Sequence, residues 1–257
     1  MSTLARQIAD WMKERVAGAG ARGIAVGLSG GIDSAVVIAL AKMAAPGQVA
    51  GVMMPCHSDP QDEVDGRLAA DCFGVPALRI DLAPTYDRLI ADLRMTLGEL
   101  PPAQRPEVSD DPAAASARLS LANVKPRLRM TSLYFVANSL NYLIAGTGNR
   151  SELTIGYFTK YGDGGVDLLP IGRLFKSQVR ALARELGVPA PIIDKAPSAG
   201  LWLGQTDEAE MGFSYADLER YLTSGTDAVP AEVAKRIERL ALASDHKRAL
   251  APMPPEG

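Results

Sequence analysis

An α/β fold built on a doubly wound, mostly parallel sheet with helices on both faces is predicted by three features of the sequence. Short β-branched apolar runs alternate with helix-length segments, the alternation that builds βαβ units. The first run, Ile24-Ala25-Val26, passes straight into the glycine-rich turn Gly27-Leu28-Ser29-Gly30-Gly31-Ile32-Asp33-Ser34 and then into the apolar series Ala35 to Leu40. A later run, Tyr142 to Ala145, passes in the same way into the glycine-bearing loop Gly146 to Leu153. At 257 residues, 47% of them hydrophobic, the chain can bury a sizeable core, and we read residues 1–257 as one domain of Rossmann-like architecture.

Leu4, Ile8, Trp11, Met12 and Val16 recur at helical spacing, so the chain opens with an amphipathic helix packed on the body. Gly18-Ala19-Gly20-Ala21-Arg22-Gly23 matches G-x-G-x-x-G but precedes the first strand, whereas a dinucleotide loop follows one. It reads as a helix stop and linker.

The Gly27 to Ser34 turn has the makings of an anion site. Its glycines admit close approach of the backbone, Ser29 and Ser34 add hydroxyl donors, and a helix starting near Ile32 brings its positive end to bear. Asp33 would repel a bound phosphate unless a hard cation lay between them, as Mg²⁺ commonly does. Neither a Walker loop nor a dinucleotide fingerprint fits the spacing. The segment resembles the Ser-Gly-Gly-x-Asp-Ser loop of the N-type ATP pyrophosphatases, which cleave ATP to AMP and pyrophosphate.

Val49 to Met54 is a second buried strand, followed by the loop Cys56-His57-Ser58-Asp59-Pro60, a helix from about Gln61 to Phe73 and a third strand, Ala77 to Leu82. Cys56 and His57 are adjacent, but sequence neighbours rarely face each other, so they read as loop residues near the nucleotide pocket rather than as nucleophile and base. Pro84 to Leu97 is a helix, and the Pro-, Asp- and Ala-rich stretch from Pro101 to Pro112 is a loop. A long helix from near Ser116 is apolar on more than one face, carrying Leu119, Leu121, Leu128, Leu133, Phe135, Val136 and Leu140; it suits either a partner or burial within one chain.

In a doubly wound sheet, the loops after adjacent strands meet where strand order reverses. The Gly27 and Gly146 loops are therefore expected to face each other, with Thr147 as a donor and Glu152 as a second carboxylate for the cation that Asp33 requires. Gly156 to Asp167 is too rich in glycine and aromatics for a regular element, Leu168 to Ile171 reads as a short edge strand, and Phe175 to Leu186 as a helix. Lys176 in the first turn of that helix opposes its dipole, which a nearby anion would explain.

Taken together, these segments resemble the ammonia-dependent NAD synthetase family. The resemblance runs from the phosphate loop through Asn123-Val124-Lys125-Pro126-Arg127-Leu128-Arg129-Met130 and Gly156-Tyr157-Phe158-Thr159-Lys160-Tyr161-Gly162-Asp163-Gly164-Gly165. It continues through Pro197-Ser198-Ala199-Gly200-Leu201-Trp202 and Asp207 to Tyr215, ending at His246-Lys247. It implies that ATP lies on Gly27, Leu28, Ser29, Gly30, Gly31, Ile32, Asp33 and Ser34 with Thr147, Lys176 and Ser198, and that Mg²⁺ is held by Asp33 and Glu152. Deamido-NAD would be bound by Arg127, Lys160, Asp167, His246 and Lys247, with Asp167 guiding ammonium, accepting its proton or binding substrate alone. Asp33 and Lys176 would act by position and charge. The implied reaction joins ammonia to the nicotinate carboxylate through an acyl-adenylate, releasing AMP and pyrophosphate, in a homodimer. Pro126 departs from the pattern by placing a proline inside a helix.

Composition sets outer limits. A net charge of −3 argues against a general polyanion or nucleic-acid binder, and no apolar run approaches membrane-spanning length. Cys56 and Cys72 are too few for a disulfide framework, so a cytoplasmic location is expected. Two rivals share the phosphate loop: another carboxylate-amidating or transfer-RNA-thiolating pyrophosphatase, and a non-catalytic nucleotide sensor. Thiolation chemistry would bring reactive cysteines or a basic surface, and a sensor would need no second substrate site.

Overall fold

Four short parallel strands form the centre of the protein: β1 (Gly23–Gly27), β2 (Val49–Met53), β3 (Ala77–Arg79) and β4 (Tyr142–Ile144), in the order β3-β2-β1-β4. The computed structural model describes residues 3–105, 115–198, 200 and 206–254, so residues 106–114 of the Pro-rich stretch and the Leu201-Trp202 pair lie outside it. Strand order reverses between β1 and β4, whose register pairs Ala25 with Ile144. The chain runs outward from β1 through β2 to β3, then returns to the other side of β1.

Helices cover both faces, as a parallel sheet requires. Ile24 and Val26 of β1 face a core shared with α1 (Thr3–Gly18), α2 (Ile32–Ala44) and α7 (Lys176–Leu186). Ala25, on the alternate face, joins Val52, Leu133, Ala137 and Ile144 in a second core under α5 (Ala115–Leu140). Between these lie α3 (Pro60–Cys72), α4 (Ala83–Gly98) and α6 (Arg150–Ile155). The chain closes with α8 (Ala190–Asp194), α9 (Asp207–Met211), α10 (Tyr215–Ser224) and α11 (Ala231–Ala243). Ile155, Met211, Phe213, Leu218 and Ile237 bind α6 to α9, α10 and α11 in a third core.

Three local expectations change. In α1 the buried stripe is Ala5, Ala9, Met12 and Val16, while Leu4 and Trp11 are each 38% exposed, because the small alanines let α1 lie close on α2. Leu168 makes only a single parallel bridge with Ala145, and Pro170, which has no N–H to give, cannot extend it into an edge strand. β3 ends at Arg79, although Ile80 and Leu82 still donate to the carbonyls of Met53 and Pro55. Helix α5 runs unbroken through the buried Pro126.

Met12, fully buried where α1 packs on α2, is a direct test of this packing. Met12→Ala is expected to lower the unfolding free energy by about 2–5 kcal/mol in urea denaturation. An unchanged midpoint would mean that α1 does not pack as described.

Candidate active site

The turn after β1 carries its own scaffold. Leu28 donates its amide to the Val52 carbonyl at 2.9 Å, fixing the turn to β2. Gly30 has φ +76°, and a Cβ there would stand 2.3 Å from the Asp62 carbonyl oxygen, so α3 presses on a backbone that tolerates only glycine. Ser29 Oγ accepts from the Gly31 amide at 3.3 Å, and Ser34 Oγ donates to the Gly31 carbonyl at 2.8 Å. Gly31 caps α2 without a side-chain bond, which leaves first-turn amides for an anion.

Across the β1–β4 switch, Asn149 caps α6 in a reciprocal box with Glu152: Asn149 Oδ1 accepts from the Glu152 amide and Glu152 Oε2 from the Asn149 amide, each at 3.1 Å. Asn149 Nδ2 also donates to Asp33 Oδ1 at 3.2 Å, which ties the two loops directly. Lys176 closes the group. Its Nζ donates to Asp33 Oδ2, lies 3.5 Å from Glu152 Oε1 and stands 5.1 Å from the centre of the Tyr215 ring. Tyr215 Oη donates to Asp207 Oδ2 at 2.8 Å and lies 3.3 Å from Glu152 Oε1. The anion that the position of Lys176 calls for is thus a pair of carboxylates. The dipole of α7 is met instead by Glu219, which accepts from the amide and hydroxyl of Ser177 at 2.8 and 2.6 Å.

Electrostatics follow from burial. Removal from water, with Asp33 and Asp207 nearby, pushes the Glu152 carboxyl up to about 8 against the opposing pull of Lys176. Burial also raises Asp207. Burial alone would lower the Lys176 ammonium, but Asp33 and Glu152 outweigh it and hold the lysine above its ordinary value. One ammonium therefore faces three acids.

These residues open on a cavity of about 760 Å³ bounded by the loops after β1, β2 and β4 and by α5. Gly27, Leu28, Ser29, Gly31, Ile32 and Asp33 line it, as do Thr147, Glu152, Lys176, Ser198 and Lys247; Gly30 and Ser34 stand behind as supports. The remaining predicted residues are placed differently. Arg127 Nη2 donates to the Lys160 carbonyl at 3.3 Å and Lys160 Nζ to the His246 carbonyl at 2.6 Å, so these three meet beside the lining residues Pro126, Thr159 and Lys247. Lys247 Nζ donates to the carbonyls of Gly156 and Phe158, both at 2.7 Å. Asp167 lies apart from the cavity: its oxygens accept from Tyr134 Oη at 2.9 Å and the Ile144 amide at 2.8 Å. Cys56 is buried, its thiol pushed up by that burial, whereas His57 pairs with Asp87 at 2.7 Å, so the two neighbours diverge.

Comparison with known proteins places the chain in a family. A profile of the NAD synthase family matches residues 4–251. The chain belongs to the NAD synthase family. The curated NH(3)-dependent NAD(+) synthetase of Carboxydothermus hydrogenoformans is 48% identical over 96% of this chain and 95% of its own length. Among solved structures, NMN synthetase from Francisella tularensis superposes with a TM-score of 0.86 at 35% identity over 99% of both chains. NH3-dependent NAD synthetase from Campylobacter jejuni, solved with a nitrate ion, gives 0.77 at 26% identity over 99% of this chain and 100% of that one.

Sequence reading had not singled out Asn149, Asp207, Tyr215 or Glu219 within this NAD synthase site. Asn149 was findable as the N-cap three residues before Glu152. The contacts of Asp207 and Tyr215 with residues far away in the chain leave no local signature. Lys176→Met removes the one ammonium among three carboxylates and is expected to cost about 3–5 kcal/mol in unfolding free energy at neutral pH. Equal urea midpoints for variant and parent would refute the shared-lysine arrangement.

Proposed function

We propose that the protein amidates deamido-NAD to NAD with ATP and ammonia, releasing AMP and pyrophosphate, as the last step in making NAD. The observation that carries this reading is the convergence of Asp33, Glu152 and Lys176 from both sides of the β1–β4 switch onto one cavity, in a chain nearly half identical to a curated NH(3)-dependent NAD(+) synthetase. An oxygen of the nicotinate carboxylate attacks the α-phosphorus of ATP and the bond to pyrophosphate breaks. Ammonia then attacks the acyl carbon, AMP leaves, and the ammonia gives up a proton. The free amides at the start of α2 and the Lys176 ammonium suit the polyphosphate, whose departure needs its charge neutralised. Thr147 and Ser198 add neutral donors along the same wall. Arg127, Lys160 and Lys247 form the cationic side of the second substrate, with His246 beside them. We assign Asp167 to that side as well, though its oxygens are engaged with Tyr134 and β4 in the free chain.

Asp33 and Glu152 fit Mg²⁺: both offer hard oxygen donors, and they stand on facing loops around one lysine. No cluster of three or more metal-ligating side chains stands among the described residues, which suits an ion that takes only one or two carboxylates and completes its shell with phosphate and water. When bound, Mg²⁺ would supply charge neutralisation to the phosphates.

A homodimer is supported by large apolar side chains left exposed among the described residues. Helix α4 has no buried residue, with Met95 66% exposed, and Phe135 on α5 is 75% exposed. Likeness to a curated NH(3)-dependent synthetase, matched over 95% of its own length, supports free ammonia rather than glutamine as the nitrogen source. No helix among the described residues is long and apolar enough to cross a membrane. Use of ATP and the two free thiols, Cys56 and Cys72, support a cytoplasmic place.

The likeness to NMN synthetase from Francisella tularensis favours a second reading, in which nicotinate mononucleotide is the acceptor. One assay separates them. With ATP and Mg²⁺, purified protein is expected to form NAD and AMP in equal amounts from nicotinate adenine dinucleotide and ammonium, with little product from glutamine. A higher kcat/KM for the mononucleotide would reverse the assignment, and no AMP with either would refute both. Glu152→Gln is expected to cut turnover at least 100-fold in a folded protein, and unchanged Mg²⁺ dependence would remove Glu152 from the metal. Sedimentation equilibrium should give a dimer for the parent and a monomer for Phe135→Asp; a parent monomer would exclude this interface.

A further inference from the structure

Among the described residues, the lysines and arginines that line the cavity are Arg79, Arg129, Lys176, Lys195 and Lys247. Three of them are neutralised by carboxylates. Arg79 meets Glu63 at 2.8 Å, Lys176 meets Asp33 and Glu152, and Lys195 meets Asp62 at 2.8 Å and Asp65 at 2.5 Å. Lys247 and Arg129 rest on neutral acceptors instead. Lys247 has already been given to the second substrate, whereas Arg129 has no part in the site as drawn so far.

Arg129 projects from α5 and is half-buried. Its Nε donates to the Met54 carbonyl at 3.1 Å and its Nη2 to Ser58 Oγ at 3.0 Å, so one edge of the guanidinium is bound to the loop after β2. Nη1 has no hydrogen-bond partner among the described residues. The acids whose charge reaches Arg129 from within the cavity are Asp62 and Asp163, neither in contact with it. Asp62 belongs to α3, whose backbone presses on Gly30 of the phosphate loop; Asp163 belongs to the glycine-aromatic loop next to Lys160. Arg129 therefore lies between the polyphosphate side of the cavity and the side of the second substrate.

A guanidinium taken out of water without a counter-charge is unfavourable, and its planar fork suits a carboxylate or phosphate. With two of its five N–H donors fixed by neutral groups and both of those on Nη1 unused, the fork is held in place before any ligand arrives. We propose that Arg129 is a substrate-binding residue that receives an anionic oxygen, from a phosphate of ATP or from the acid dinucleotide, where the two substrates meet. This rests on the function proposed above, but it concerns binding and can be read without turnover.

The test is calorimetric binding of ATP with Mg²⁺, and separately of nicotinate adenine dinucleotide, to the full chain and to Arg129→Gln and Arg129→Lys. Gln keeps a donor for the Met54 carbonyl and removes the charge. We expect the Kd of one ligand to rise roughly 10- to 100-fold in Arg129→Gln, the loss carried by one hydrogen bond to a charged group. Whichever ligand weakens identifies the source of the anion. Arg129→Lys should recover part of that loss because it restores the charge. Wild-type affinity for both ligands in Arg129→Gln overturns the proposal, as does an equal loss in both variants, which would assign Arg129 to packing alone. Wild-type protein that binds both ligands yet forms no product would overturn the proposed function while leaving this inference to the binding data. Should Arg129→Gln not fold, structures of the unaltered protein with each ligand decide: an anionic oxygen within about 3.2 Å of Nη1 supports the assignment, and its absence from both refutes it.

Discussion

Lys176 stands where the loops after β1 and β4 meet, and the rest of the site depends on it. Asp33 comes from the first turn of α2 and Glu152 from the first turn of α6, each at the positive end of its helix. Brought together across the strand switch, the two carboxylates would repel each other. The ammonium between them makes the juxtaposition tolerable, and its removal from water makes the attraction strong. Because Lys176 begins α7, and Glu219 of α10 pins that start, the charge contact also fixes how the C-terminal helices sit on the sheet. Fold and site share one electrostatic knot.

The two halves of the cavity are prepared in different ways. On the polyphosphate side the acids already have their cation, the glycine turn is braced by α3, and the hydroxyls of Ser29 and Ser34 bond within the loop. That side is preorganised, which lowers the entropy lost on binding. On the other side Lys160 and Lys247 donate to backbone carbonyls, bonds that an anionic ligand can replace at small cost because a carboxylate or phosphate is the better acceptor. A chain with net charge −3 thus keeps cations available locally without a basic surface overall.

Much of this was legible in the sequence wherever a local pattern has one physical meaning. The Gly27 to Ser34 turn could be read because glycines, hydroxyls and an acid directly after a strand serve few purposes other than anion binding. Strand order made Glu152 readable once the turn was placed. The α1 stripe was not, since periodicity finds an apolar face but cannot tell Ala5 and Ala9, which permit close approach, from Leu4 and Trp11, which remain half exposed. β3 and the Leu168 segment were over-extended because apolar character outlasts the ladder when a proline or a sheet edge intervenes. Asp167 was grouped with the second substrate, yet its partners in the folded chain are Tyr134 and the Ile144 amide, which no spacing rule reveals.

The same distinction explains why Arg129 escaped notice beside Arg127. The two are separated by one residue on α5, and a helix turns successive odd positions well away from each other. Arg127 therefore reaches the Lys160 carbonyl at the outside of the site, whereas Arg129 reaches the carbonyl at the end of β2. From sequence both are simply basic residues near a proline. Pro126 helps to separate their roles, for its ring lies against Gly162 and carries no charge into the wall, so among the described α5 residues that line the cavity the cation is Arg129, with Lys125 one turn back and outside the lining. Position separates Arg129 from Arg127, and partner chemistry separates it from Arg79 and Lys195 in the same wall: a cation matched to carboxylates is already satisfied, and one resting on neutral oxygens retains the capacity to meet an anion.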